Sequence, residues 1–354
     1  MKYLISGIGP GNSGVGRLMK VLKPKYESQG FKVFYKREPH SLREFVKNGK
    51  YINAVFEVFL RCFSGISFRL RVASIKKSNV VFIHPQTAGF GLLINLLKNN
   101  DVSLYVMDNS FFCIESYNTN PITKNECLKC VGACNPEWTC EPFPVKISKK
   151  LNLKYLDELK LYSYKINFLV QNNLQLKLLE AHFGEHIKAE IIGLDTQETV
   201  SATKIIDSFN SDLEYKVDVV YHGASIIPKG LLYVIQLASH LPEYLFLIPD
   251  SKDAIENVIG NIVPANVICK KMSWETGLRD YVLDCKVVIN PSVWSAPIEG
   301  ALLKSAAFNK NVATVVTEYG YENEIEDIIN HIRLDQDVVI ASTQMRYALA
   351  NLDK

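Results

Sequence analysis

Apolar, β-branched runs alternate with helix-period segments along nearly the whole chain. This is the pattern of parallel sheets whose strands are joined by crossover helices. The runs predict strands at Tyr3–Gly7, Lys32–Tyr35, Val80–His84, Ser103–Met107, Asn167–Val170 and Glu190–Ile192 in the first half. In the second half they predict strands at Val217–Tyr221, Leu245–Ile248, Val267–Lys270, Lys286–Ile289 and Val312–Val316. The expected class is α/β, as two Rossmann-like doubly wound domains facing a cleft. A length of 354 residues suits two domains of roughly 150 residues each. The boundaries read as 1–195 for the first domain, with a Cys-rich insert at 110–145, and 196–215 for a polar linker or hinge. The second domain then covers 216–342, and residues 343–354 form a C-terminal helix that is free to pack back on the first. Ligands in open α/β sheets bind at the carboxyl ends of strands, so residues just after strands carry the functional argument.

Charge is unevenly divided. Residues 1–150 hold 22 Lys and Arg against 10 Asp and Glu, while 151–354 hold 18 against 27. A basic first half suits an anionic partner. Basic and apolar residues interleave from Phe59 to Val72 and continue to Lys76 and Lys77, as in a helix lying on anionic lipid, although a solvated helix face has the same look. No nucleic-acid motif accompanies the charge. The uncharged stretch Asn79–Leu97 contains His84, Pro85, Gln86, Gly89 and Asn95, and no transmembrane helix is predicted. The start, Met1–Gly7, lacks a signal peptide's long apolar region. The expected location is the cytoplasm, with peripheral contact at the inner face of its membrane.

Four segments have the residues for chemistry. Gly7–Gly16 follows the first strand and opens a helix, and Gly9, Gly11 and Gly14 match the dinucleotide fingerprint G-x-G-x-x-G. The fingerprint wants an acid about 20 residues on, whereas Glu38 lies 29 residues after Gly9. A structural turn and an anion-binding turn both remain open. Cys113, Cys127, Cys130, Cys134 and Cys140 fall within 28 residues. In a reducing compartment that density suits a structural zinc ion, with free thiols, disulfides or an iron–sulfur cluster as alternatives.

The third segment, Tyr221–Gly230, places Lys229 before a helix, where a point charge and free backbone N–H groups can hold a diphosphate, with a solvated lysine before a Gly turn as the alternative. The fourth, Asn290–Ala307, turns through Pro and Ser into a helix opening with Glu299. Helix capping alone would explain that acid.

Taken in order, the segments resemble a GT-B glycosyltransferase of the retaining family 4 type. The Gly-rich turn with Gln29–Val33 is similar to "GG…rGHeV", and Val80–His84 to "DvvHvH". Tyr105–Asp108 is similar to "tlHD", with a Cys-rich insert found in some members. Leu169–Asn172 and Ile191–Asp195 resemble "vvS…vipNGvD", His222 to Gly230 resembles "GRl…KG", and Asn290 to Ala307 resembles "PS…E…lEAma". Three positions depart: Met107 replaces the histidine of "HD", Ala224 the arginine of "GRl", and Ala296 and Lys304 the acids of the E-x7-E pair. Glu299, three residues from the first of these, is the candidate substitute.

The resemblance implies transfer of a sugar from a nucleotide donor, bound mainly by the second domain, to a saccharide or lipid-linked saccharide held by the first. It points to assembly of a bacterial surface polysaccharide: O-antigen, capsule or exopolysaccharide. Asp108 and Glu299 are then the catalytic candidates. Gly11, Gly14, His222, Gly223, Lys229, Pro297, Gly300 and Lys304 are candidates for the donor, and His84 and Asn12 for the acceptor. The transfer needs no cofactor, and zinc would be structural. The alternatives are an inactive GT-B-like nucleotide-sugar-binding or scaffold protein, an NAD(P)-dependent oxidoreductase using the Gly9–Gly14 turn, and a sugar-nucleotide epimerase sharing the fold.

Overall fold

A computed structural model describes residues 1–11, 14–144, 147–194 and 217–352. The chain divides into two compact units, Met1–Ser116 with Lys129–Thr196, and Tyr117–Leu128 with Gln197–Lys354. Asn12 and the linker at 196–215 lie outside the described residues.

The first unit is one six-stranded parallel sheet. Its strands are β1 (Lys2–Ser6), β2 (Lys32–Tyr35), β3 (Asn79–Ile83), β4 (Asp101–Tyr105), β5 (Ile166–Val170) and β6 (Lys188–Ile191), in the order β2-β1-β3-β4-β5-β6. The chain goes from β1 outward to β2, then crosses back to β3 on the other side of β1. The loops after β1 and β3 therefore part company, which makes a topological switch point. Leu4 and Ile5 of β1 and Phe82 and Ile83 of β3 are fully buried, because a parallel strand covered on both faces is apolar on both. Helix α1 (Gly14–Ser28) lays Leu18, Met19 and Leu22 on one face of the sheet, against Leu4, Val81 and Leu169. The chain continues through α2 (Leu42–Lys47), α3 (Tyr51–Ala73), α4 (Pro85–Ala88) and α5 (Phe90–Leu97), then α6 (Lys149–Leu161) and α7 (Asn173–Phe183). Helix α3 is long and apolar enough to cross a membrane by length and composition. A scan for uncharged stretches passes over it because Glu57 and Arg61 interrupt the run.

The second unit repeats the plan. Strands β7 (Val219–Tyr221), β8 (Phe246–Ile248), β9 (Val267–Cys269), β10 (Val287–Asn290), β11 (Asn311–Val315) and β12 (Asn330–Leu334) form a parallel sheet in the order β12-β11-β10-β7-β8-β9. Its switch point lies between β7 and β10. Helices Leu231–His240 and Val338–Leu352 pack on one face, the second contributing Ala341, Met345 and Leu349. Leu278, Val282 and Cys285 cover the other face.

All eleven expected strands are present, displaced by no more than two residues. Strand β12 was not expected. Its sequence, Asn-His-Ile-Arg-Leu, belongs to a half-exposed edge strand and has no apolar run to announce it.

Candidate functional site

In the second unit the loops after β7 and β10 meet at the switch point. Gly230 makes this approach possible. Its φ is +80°, and a Cβ there would overlap the carbonyl oxygen of Pro291, so a residue without a side chain lets the two loops close. The backbone N–H of Val293 donates to the carbonyl of Pro228 at 3.1 Å. Lys229, just before that turn, extends its ammonium to the carboxylate of Glu299 in an ion pair. The other Glu299 oxygen accepts from the Ser292 hydroxyl at 2.8 Å. The Lys229 Nζ also sits 4.7 Å above the Trp294 ring and 5.9 Å from that of Tyr117. Burial pulls the Lys229 pKa down to about 7.

Glu299 occupies the N-cap position of the helix Gly300–Phe308, but its side chain makes no capping bond. Its carboxylate is committed to Lys229 and Ser292 instead, which rules out helix capping as the explanation of this acid.

His222 lies at the end of β7, with its ring stacked 5.2 Å from that of Trp274 and its Nδ1 2.9 Å from the Ser305 hydroxyl. Burial and the nearby charge of Lys304 hold its pKa down at about 3, so the ring is neutral. Lys304 reaches across the same Trp274 ring at 5.1 Å. Two of the candidates, His222 and Lys304, thus share one indole. Asn290 and Trp294 are buried nearby, and their Oδ1 and Nε1 atoms have no hydrogen-bond partner among the described residues.

The segment Tyr117–Leu128, numbered with the first half, belongs to the second unit and braces this loop. Asn118 Nδ2 donates to Ser295 Oγ at 2.9 Å, and Ser295 N donates to Asn118 Oδ1 at 3.2 Å. Ser295 Oγ donates to Glu126 at 2.5 Å, and Glu126 also accepts from the Glu318 N–H at 2.7 Å. Burial raises the pKa of Glu126.

In the first unit the loops after β1, β3 and β4 hold the remaining candidates. His84 has a left-handed backbone, φ +55°, and this sparsely allowed conformation turns the chain from β3 into α4. Its Nδ1 lies 2.7 Å from Thr87 Oγ1 and its Nε2 lies 3.8 Å from Asp108 Oδ2. Asp108 accepts from the Ser110 N–H at 3.0 Å. Gly7 passes so close to Thr87 that a Cβ would overlap it. A Cβ at Gly11 would lie 3.5 Å from the carboxylate of Glu38, so the acid that the fingerprint spacing misplaces does reach the glycine turn.

The structure thus gathers the candidates into two groups. Asp108 and His84 meet in the first unit, and Gly11 lies in the loop after β1 of the same sheet. Glu299 and Lys229 meet in the second, with His222, Gly223, Pro297, Gly300 and Lys304 on the same two loops and helix. Gly14 opens α1. Sequence reasoning missed Ser292, Trp294, Trp274, Tyr117 and Asn118. Ser292 left a signal as the serine of the resembled "PS" and Trp294 as a large aromatic residue in the Pro- and Ser-rich loop.

Among the described residues no three His, Cys, Asp or Glu side chains gather to hold one ion. Cys113 is hydrogen-bonded to Cys130, which together with burial raises its pKa. Cys134 lies 3.8 Å from His182 Nε2, and burial raises its thiol pKa to about 11, while the hydrogen bond from Cys113 lowers that of Cys130. Cys127 lies in the segment that belongs to the second unit, and the other four belong to the first.

No protein-family model matches the sequence, and no curated protein matches it. Solved structures do. Sucrose-phosphate synthase from Thermosynechococcus elongatus is 11% identical, with the likeness covering 99% of this chain and 90% of that one at a TM-score of 0.63. HepE from Anabaena, in complex with UDP and glucose, is 11% identical over 100% of this chain and 95% of that one at a TM-score of 0.50. At such identity the likeness is one of fold. Two parallel six-stranded sheets, each with a switch point and helices on both faces, give this chain the GT-B fold of two Rossmann-like units.

Proposed function

We propose that the protein is a glycosyltransferase that moves a sugar from a nucleoside-diphosphate sugar to a saccharide or lipid-linked saccharide acceptor, in assembly of a bacterial surface polysaccharide. The observation that carries this reading is the Lys229 ammonium at the switch point of the second sheet, paired with Glu299 against the Trp294 ring. Loss of a sugar leaves negative charge on the departing diphosphate, and a lysine in a partly dry pocket neutralises it. An arriving diphosphate takes the place of the Glu299 carboxylate and keeps Lys229 charged. The free N–H groups opening the helix Gly300–Phe308, with the backbone at Gly223, supply further donors. Lys304 and the Trp274 face serve the nucleoside side. Glu299, once released, and Asp108 make polar contacts to the reacting sugar, while His84 and the Gly11 turn serve the acceptor. In this reading the reaction is retaining and uses no cofactor.

A thermal-shift panel of UDP, GDP, ADP, TDP, CMP and NADH on the wild type and Lys229→Ala tests this. UDP is the first arm because the HepE structure holds UDP and glucose. The expected result is a rise with one diphosphate that the variant loses. A shift with NADH alone would replace the reading with an oxidoreductase built on the Gly-rich turn and Glu38.

A second reading, a nucleotide-sugar-binding protein without turnover, is favoured by Ala296 and Lys304 at the positions where the resembled family has its acid pair. Binding of a diphosphate without hydrolysis or transfer of the matching sugar nucleotide would select it.

A further inference from the structure

We propose that α3 is a docking face for an anionic phospholipid bilayer. One side of this helix is anchored. Glu57, Phe68 and Val72 are buried, and Glu57 receives both guanidinium nitrogens of Arg37, the Arg61 Nε and the His40 N–H. The opposite side carries Ile52, Phe56, Phe59, Phe63, Ile66 and Leu70, each between 59% and 85% exposed. Their spacings of four, three, four, three and four residues keep them on one stripe along the whole helix.

A monomeric protein does not leave such a stripe bare without a partner. Although α3 has the length to span a bilayer, its inner side is committed to the unit through the buried Glu57 and Phe68, so it lies on the surface.

The charges identify the occupant. Arg69 and Arg71 flank Leu70, about 100° to either side of the stripe, and both are exposed. Lys47 and Lys50 precede the helix, Lys76 and Lys77 follow it, and all four are exposed. Between Ser41 and Lys77 there are eight Lys and Arg against two acids, of which Glu57 is already neutralised by two arginines. A second copy of the chain would set basic ends against basic ends, whether the helices ran parallel or antiparallel. An anionic surface meets the cations at both ends while its acyl region takes up the phenylalanines.

The test uses the full chain and cosedimentation with vesicles of equal parts phosphatidylglycerol and phosphatidylcholine, against vesicles of phosphatidylcholine alone. Binding is expected to the anionic vesicles only, and to fall between roughly 0.1 and 0.5 M salt. Phe59→Ser with Phe63→Ser, and separately Arg69→Glu with Arg71→Glu, are expected to weaken it by about tenfold or more with the melting temperature unchanged. Cys62 is exposed on this side while the other cysteines are buried or half-buried, so an environment-sensitive dye there should shift to the blue on anionic vesicles. No vesicle binding, or binding that both variants retain, overturns the proposal. A concentration-dependent dimer that Phe59→Ser with Phe63→Ser dissolves, without vesicle binding, gives the stripe to a second copy. None of these readouts uses a sugar nucleotide, so their failure leaves the transferase reading untouched.

Discussion

Lys229 and Glu299, 70 residues apart in the chain, form an ion pair between the loop that follows β7 and the loop that follows β10. The pair joins two segments that lie far apart in the sequence, at the switch point of a doubly wound sheet, the place where such sheets bind ligands. In the proposed reading Glu299 holds the place of the diphosphate and keeps the Lys229 cation paired until a stronger anion arrives.

Removing one partner of this pair should cost more than removing both. Lys229→Ala strands a largely buried carboxylate, a loss of about 1–3 kcal/mol. Lys229→Met with Glu299→Gln removes both charges and should recover most of that stability in a denaturant titration. Neither variant should respond to the diphosphate that shifts the wild type. A response retained in the double variant would place the diphosphate elsewhere.

Gly230→Ala tests the loop closure that brings the pair together. The substitution meets a left-handed φ and the carbonyl of Pro291 at once. The expected cost is about 2 kcal/mol or more, with the diphosphate response lost in parallel. An alanine variant of wild-type stability would show that the loops do not need this approach.

The strand pattern was legible because parallel strands covered on both faces must be apolar throughout, and β12 was missed because an edge strand is free of that constraint. Lys229 and Glu299 were legible as residues opening helices after strands, but their pairing was not, since it depends on how β7 and β10 lie side by side. The cysteine spacing likewise carries no sign of which unit each thiol belongs to. Cys127 and Cys130 are close in sequence, yet the chain passes from one unit to the other between them. Asn118 and Glu126 gave no signal, because a polar residue that braces a loop 169 or more positions away has no local pattern.

Ser295 is the point where that brace is fastened, accepting from Asn118 and donating to Glu126. Ser295→Ala removes both bonds and leaves Glu126 buried with fewer partners, at a cost of about 1–3 kcal/mol. Limited tryptic digestion of the variant should open a cleavage at Lys124, inside the braced segment, that the wild type resists. Equal digestion patterns would mean that the segment is held by other contacts.

The cysteine geometry predicts a protein without stoichiometric zinc. Chain purified with reductant should carry far less than one zinc per molecule by elemental analysis, and a chelator should leave its melting temperature unchanged. One tightly held zinc per chain would mean that the thiols gather around an ion after all.

Acid stability should fall in two steps, and the signs follow from which form the fold prefers. His222 and His182 are kept neutral by burial, with pKa values lowered to about 3 and about 4. The unfolded chain therefore binds their protons first, and stability declines as pH drops below the ordinary histidine value near 6.5. Glu57 is held down at about 2, chiefly by its hydrogen bonds to Arg37, so its stabilising contribution is complete above the ordinary carboxylate range and disappears as pH falls from about 4.5 to 2. Glu57→Gln should therefore be less stable than the wild type at pH 7, and the gap should close through that lower window while the decline below 6.5 stays in both proteins. Melting temperatures of the two proteins from pH 7 to pH 2.5 would read this directly. A gap that stayed constant with pH would mean that the Glu57 charge contributes nothing to how α3 is anchored.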